Sequence, residues 1–161
     1  MNVRVAREED LLQLMEIFEI ARNYQRSHGN PTQWPDNYPD IERVKQDINQ
    51  GFCYILEEHE RIVATFTMIS GEEPTYQLIE EGSWINTSPY CTIHRVASDG
   101  TVKGIGVAIM KWCISRCRHI RIDTHRDNLV MQHVIERSGF TYCGIIYAED
   151  ETPRMAYELV I

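Results

Sequence analysis

The sequence predicts an α/β (α+β) fold on a mixed sheet of six to seven strands, with about four helices. Three observations carry this. Stretches in which apolar residues alternate interleave with stretches in which they recur at helical spacing. Along the 161 residues the patterns run β, α, α, β, β, β, α, β, α, β, β. A strand, a helix and another strand follow one another over residues 90–124, the arrangement that lets two strands lie parallel. With 161 residues, 43% of them hydrophobic, residues 1–161 are expected to form a single domain.

The elements follow in order. A strand at 2–6 leads to Arg7-Glu8-Glu9-Asp10, an acidic turn that suits a helix N-terminus. Leu11, Leu14, Met15, Phe18 and Ala21 then keep helical spacing until the breakers Ser27-His28-Gly29-Asn30-Pro31. Three prolines keep 31–39 out of regular helix. A second helix over 41–49 carries Ile41, Val44 and Ile48 on one face, and Gly51 ends it. Strands at 52–57 and 62–70 flank a turn at 58–61, which is a hairpin signal. The Glu-rich stretch 71–90 is expected to be a loop with one helical turn at most. A strand at 90–98, a helix at 103–117, a strand at 120–124, a helix at 128–138 and strands at 140–147 and 154–160 complete the chain.

Composition narrows the function. No run of 18 apolar residues is present, so no membrane partner is expected. The N-terminal strand pattern is not that of a signal peptide. A net charge of -8 repels phosphate backbones, so no nucleic acid is expected either, whereas cationic amines are tolerated. Five cysteines with no Cys-x-x-Cys pair suggest reduced thiols and a cytoplasmic protein. Neither the cysteines nor the histidines show metal-ligand spacing, so no metal is expected.

Two segments carry the chemistry. In the first, the apolar strand Ile93-His94-Arg95-Val96-Ala97-Ser98 runs into Asp99-Gly100-Thr101-Val102-Lys103-Gly104-Ile105-Gly106-Val107. A glycine-containing turn followed at once by a helix offers backbone N–H groups with little side-chain cover, and the helix dipole adds positive potential. Gly104 and Gly106 would let the backbone approach oxygen atoms, and Lys103 could add a point charge. The spacing is neither that of a Walker loop nor that of a dinucleotide fingerprint. Taken alone, it is equally an ordinary turn before a helix. In the second segment, a strand ending in Asp123-Thr124 is followed by a polar turn, a helix from Asn128 and Gly139-Phe140.

Together the two segments resemble the GNAT superfamily of N-acetyltransferases. The first is similar to its Arg/Gln-x-x-Gly-x-Gly/Ala acyl-CoA motif and the second to its Asn-x-x-Met/Ala…Gly-Phe motif. The resemblance covers nearly the whole chain. It implies a mostly antiparallel twisted sheet splayed between strands 4 and 5, with helices packed on both faces. It implies acetyl-CoA as co-substrate and a primary amine of a small molecule or peptide as acceptor. Homodimers are common among similar proteins. Pantetheine should pair with the backbone around Val96, Ala97 and Ser98, and the pyrophosphate should sit on Thr101, Val102, Lys103, Gly104, Ile105, Gly106 and Val107. Asn128 either reaches the pantetheine arm or caps its helix, as Asp127 could.

Two positions depart from the family pattern. Thr101 stands where Arg or Gln is usual, and Ile135 stands where a Tyr often protonates the leaving thiolate. Tyr142 and Tyr147, on the next strand, are candidate acids. A backbone N–H at a strand bulge, that of Val96, would polarise the thioester carbonyl. His94 is the first candidate base, since strand alternation puts it on the face of Val96 and imidazole ordinarily titrates near about 6.5. Its alternative is a packed histidine. Glu80 and Glu81 are rivals, or else members of a solvated acidic turn. For the acceptor, the resemblance points to Tyr24, Gln33, Trp34 and Tyr38, joined by Trp84 and Tyr90. Trp34 could stack on a cation or could pack to close the core.

Overall fold

The computed structural model describes residues 1–161. Its elements are β1 (Asn2–Val5), α1 (Leu11–Ser27), α2 (Ile41–Asn49), β2 (Cys53–Glu58), β3 (Arg61–Ser70), β4 (Cys91–Ser98), α3 (Ile105–Arg116), β5 (His119–Thr124), α4 (Leu129–Arg137), β6 (Thr141–Tyr147) and β7 (Pro153–Val160). The sheet has seven strands in the order β1-β2-β3-β4-β5-β7-β6. Pairs β1–β2, β2–β3, β5–β7 and β6–β7 are antiparallel. β4 and β5 are parallel, with Cys91 opposite Ile120 and Ile93 opposite Ile122. The helix between them is the crossover that a parallel pair needs. No helix is long and apolar enough to cross a membrane.

The chain forms two compact units, Met1–Met68 with His94–Ile105 and Ile69–Ile93 with Gly106–Ile161. In the first unit, α1 buries Leu11, Leu14, Ile17 and Phe18 against Val44, Ile55, Ile62 and Ala97. The acidic turn before α1 works through one residue. Asp10 is 6% exposed and accepts hydrogen bonds from the Arg7 N–H at 2.7 Å and from Arg4 at 2.8 and 3.0 Å. On α2, Asp40 caps the N-terminus by accepting from the Arg43 N–H at 2.8 Å. The buried face of α2 holds Val44, Asp47 and Ile48, whereas Ile41 is exposed. An apolar residue in the first helical position was therefore expected on the wrong face, and a carboxylate was missed there. The β2–β3 turn places His59 and Glu60 at φ 51° and 63°, the left-handed pair that tight hairpins favour.

In the second unit, the loop between β3 and β4 contains one 3-10 turn, Pro74–Tyr76, and buries Tyr76. Glu80 pairs with Ile145 of β6 through two backbone hydrogen bonds of 2.8 Å. Glycine is needed on both sides of this contact. A Cβ on Gly82 would stand 1.9 Å from the Cys143 carbonyl oxygen, and one on Gly144 would stand 2.5 Å from the Glu80 carbonyl oxygen. The loop is also held by charge. Glu158, fully buried on β7, accepts from His119, from Arg121 at 3.1 Å and from the Ile85 N–H. The Arg121 guanidinium lies 4.1 Å from the ring centres of both Trp84 and Tyr90.

All five cysteines are free. Burial pushes the Cys113 thiol up to about 12 and that of Cys53 up to about 11, so both stay protonated and unreactive at neutral pH.

Candidate active site

The first chemistry-bearing segment starts inside β4. Arg95 has φ 51° in the interior of a strand. A left-handed L-residue costs about 1–2 kcal/mol, so something has to hold it there. Its guanidinium donates to both Asp47 carboxylate oxygens, at 2.8 and 2.9 Å, and to the Tyr38 hydroxyl at 3.4 Å. The His94 carbonyl, one residue earlier, accepts from the Thr67 hydroxyl at 3.0 Å. The break at Arg95 changes one expectation. Alternation cannot be carried from His94 across Arg95 to Val96, because a left-handed residue resets the pleat. Alternation does hold after the break, with Ala97 buried between the half-buried Val96 and Ser98.

The turn after β4 is organised by Asp99. Its N–H donates to the Val63 carbonyl at 3.0 Å, and its Oδ1 accepts from the Thr101 N–H at 2.9 Å and the Thr101 hydroxyl at 2.6 Å. Arg61, at the start of β3, donates to the Thr101 hydroxyl and lies 3.3 Å from Asp99 Oδ2. Both donors of Thr101 are therefore committed to Asp99. Thr101, which the resemblance places under the pyrophosphate, has no donor left for it, and the remaining main-chain N–H groups of the turn are those of 102–106.

The rest of the turn can accept a diphosphate. Gly104 has φ 77°, with nothing within 4 Å of where a Cβ would stand, and Lys103 beside it is exposed. Val102 is half-buried and Ile105 buried, which anchors the turn at two apolar points. The first N–H groups of α3, from Ile105 through Gly106 and Val107, have no partner within the helix. A recess of about 280 Å³ lies beside the turn, lined by Glu58, His59, Arg61, Val63, Thr101 and Val102.

In the second unit, Gly106 serves helix packing. A Cβ there would lie 3.1 Å from both methyl groups of Val134 on α4. The absent side chain thus lets two helices approach, a different reason from the oxygen contact expected from sequence. Asn128 is the N-cap of α4 and accepts from the Met131 N–H at 3.1 Å. The capping role falls to Asn128 rather than Asp127. Ile135 is fully buried. Tyr147, at the end of β6, donates its hydroxyl to Glu80 at 2.9 Å, and that carboxylate raises the phenol above its ordinary value. Glu81 is exposed at φ 56°, so the acidic partner that the fold brings to Tyr147 is Glu80. His125 is held below the usual histidine range by burial and by Arg154, and its Nδ1 accepts from the Asp127 N–H at 3.0 Å. Asp123 accepts from the buried Tyr76 hydroxyl at 2.6 Å.

The residues expected to bind the acceptor separate by burial. Tyr24 on α1 is 50% exposed and stacks on His28, with ring centres 3.8 Å apart. Gln33 is half-buried and accepts from Asn30 at 2.7 Å. Trp34 is 8% exposed and packs against Phe18 and Tyr38 at 6.0 and 6.1 Å, so it fills the core instead of offering its face to a cation. Tyr90 is 8% exposed too, and its hydroxyl accepts from the Glu73 N–H at 2.8 Å. It is a core residue of the second unit.

Sequence reasoning passed over Arg61, Asp47 and Arg95. Asp47 had a readable signal, as a carboxylate one position from Ile48 and three from Val44 on an otherwise apolar helix face. A buried charge in such a place needs a partner. Arg61 had none, because its contacts join residues 40 apart.

Known proteins agree with this architecture. An acetyltransferase of the GNAT family from Streptococcus agalactiae 2603, known from its crystal structure, superposes with a TM-score of 0.91 at 28% identity, over 99% of this chain and 95% of that one. A GNAT family acetyltransferase from Listeria monocytogenes 4b F2365 shares the fold, with a TM-score of 0.71 at 17% identity over 99% and 94% of the two chains. The S-(2-succino)cysteine N-acetyltransferase of Bacillus subtilis (strain 168) is 29% identical over 111 residues, which make up 68% of this chain and 61% of that protein. The acetyltransferase (GNAT) family model matches residues 13–140, from α1 to the residue before β6. That match takes in both glycine-bearing segments and most of the chain, and the protein therefore belongs to the GNAT family of acetyltransferases.

Proposed function

We propose that residues 1–161 act as one N-acetyltransferase domain, which transfers the acetyl group of acetyl-CoA to a primary amine of a small molecule or peptide by direct attack. The observation that carries this reading is the run from Arg95 to Gly106. A break in β4 precedes an open glycine turn and a helix start, an arrangement suited to one backbone N–H on a carbonyl and several on a diphosphate.

Acetyl-CoA, when bound, supplies an activated thioester. Amides 102–106 and Lys103 would hold its phosphates, and the main chain at Val96 and Ser98 would pair with its pantetheine. The Val96 N–H would donate to the thioester carbonyl. An alkyl ammonium has a pKa of about 10.4 and must lose a proton before it attacks, so a base is needed. His94 is the residue assigned to that role. Tyr147 is assigned the acid role, its hydroxyl held in place by donating to Glu80 at 2.9 Å. Glu81, solvated beside them, adds negative charge that favours an amine. Tyr24 and Gln33 form the acceptor surface. Five free cysteines suit a reducing, cytoplasmic compartment.

A second reading, an acyl-CoA-binding module without catalysis, is favoured by one observation: the position of the family's frequent tyrosine is the fully buried Ile135. One experiment separates the two. The protein is incubated with acetyl-CoA and a panel of amines that includes S-(2-succino)cysteine, on which a relative is named to act, and free thiol is measured. Amine-dependent thiol release supports the enzyme, and saturable acetyl-CoA binding without release supports the module.

A further inference from the structure

We infer that the Arg95–Asp47 ion pair is a positioning device for acetyl transfer: it holds Arg95 in the left-handed conformation that aims the following N–H, that of Val96, at the thioester carbonyl. The inference rests on the acetyltransferase reading above and names the residues that set its geometry.

Four observations lead to it. Arg95 is the residue of β4 with a positive φ, and no glycine is present there to make that conformation easy. The ion pair is bidentate, at 2.8 and 2.9 Å, with both side chains 6% exposed. Two parallel hydrogen bonds fix the plane of the guanidinium as well as its distance, which a single contact would not do. The peptide before Arg95 is held separately, through the Thr67 hydroxyl on the His94 carbonyl. The bend is therefore gripped on its carbonyl side by β3 and through its side chain by α2. Finally, Asp47 lies on the buried face of α2 with the apolar Val44 and Ile48. Buried ion pairs add little stability over apolar replacements, so orientation is what this pair supplies and a hydrophobic pair could not.

The test compares two double variants that both remove the ion pair. Asp47→Asn with Arg95→Gly leaves a residue that enters the left-handed region freely. Asp47→Asn with Arg95→Ala leaves one that resists it. The Ala double should lose about 100-fold in kcat, the effect of a small misplacement, with KM for acetyl-CoA unchanged. The Gly double should turn over faster than the Ala double. A purely structural ion pair predicts equal kcat for the two, and that result would overturn the inference. If either double fails to fold, Arg95→Lys decides. It keeps the charge and loses the two-point contact, so full kcat in that variant overturns the inference.

A spectroscopic readout needs no acceptor amine. With acetyl-CoA labelled by carbon-13 at the carbonyl, the bound C=O stretch should move to lower frequency in the wild type. It should return toward the free value in the Ala double. Identical bound spectra in wild type and variants would sink the positioning role alone. Failure of the wild type to bind acetyl-CoA would instead sink the acetyltransferase reading, and this inference with it.

Discussion

Gly104 and His94 show what single residues contribute. At Gly104 the backbone is left-handed and the space around it is open, so the glycine is there for conformation and access. Gly104→Glu sets a strained side chain and a negative charge where an anion should lie. It is expected to abolish CoA binding in calorimetry, and a wild-type dissociation constant would move the diphosphate elsewhere. Gly104→Ala keeps neutrality and adds only the strain of a left-handed alanine, about 1–2 kcal/mol, so it should weaken binding without abolishing it. His94→Ala is expected to lower kcat by about 10²–10⁴-fold, the usual worth of a general base, and to leave CoA affinity intact. An unchanged pH–rate profile in that variant would remove His94 from the mechanism and leave Glu80 as the carboxylate to test.

Among the elements, α3 and α4 meet at Gly106 and Val134, where an added Cβ would have 3.1 Å contacts. An alanine at 106 gains about 1 kcal/mol of helix propensity and loses a similar amount to crowding, so Gly106→Ala should be close to neutral. Gly106→Val overpacks the contact and is expected to cost about 1–3 kcal/mol in chemical denaturation. Adding Val134→Ala should recover part of that loss. Strict additivity of the two substitutions would mean that the helices do not meet there. The loop between β3 and β4 is an element of the same kind. It is fastened by a two-hydrogen-bond bridge at Glu80–Ile145 and by Glu158, and not by a regular strand.

For the whole molecule, acid is the expected weakness. Burial alone would raise the Glu158 carboxyl, but hydrogen bonds from His119, the Ile85 N–H and Arg121 bring it below its ordinary value. Asp10 is depressed as well, chiefly by Arg4. A carboxyl whose folded pKa is lowered adds stability above its unfolded pKa, near about 4, and that stability disappears as pH falls through the folded value. The melting temperature should therefore hold from pH 7 to 5 and drop below about pH 4. Glu158→Gln should cost about 3–5 kcal/mol at pH 7, because His119 and Arg121 lose a buried charged partner. It should also flatten the acid limb of the melting curve, and an unaltered acid limb would assign the acid sensitivity to other carboxylates.

Local chemistry was enough to order every strand and helix along the chain. Alternation and helical spacing act over a few residues, and the punctuating glycines and prolines act over fewer still. The turn at Gly104 was legible for the same reason, since a glycine turn running into a helix is a local pattern. The rest depends on contacts between residues far apart in sequence. Asp47 and Arg95 are separated by 48 positions, Arg61 and Thr101 by 40, and Glu80 and Tyr147 by 67. No periodicity records such pairings, and so the Arg61 contact with Thr101, the burial of Trp34 and Tyr90, and the choice of Glu80 over Glu81 were settled only by folding. The amino-acid order determined the family and the place of the glycine turn at Gly104. Tertiary packing decided which polar groups remain free to do chemistry, because a buried donor or acceptor must find its partner wherever the fold brings one.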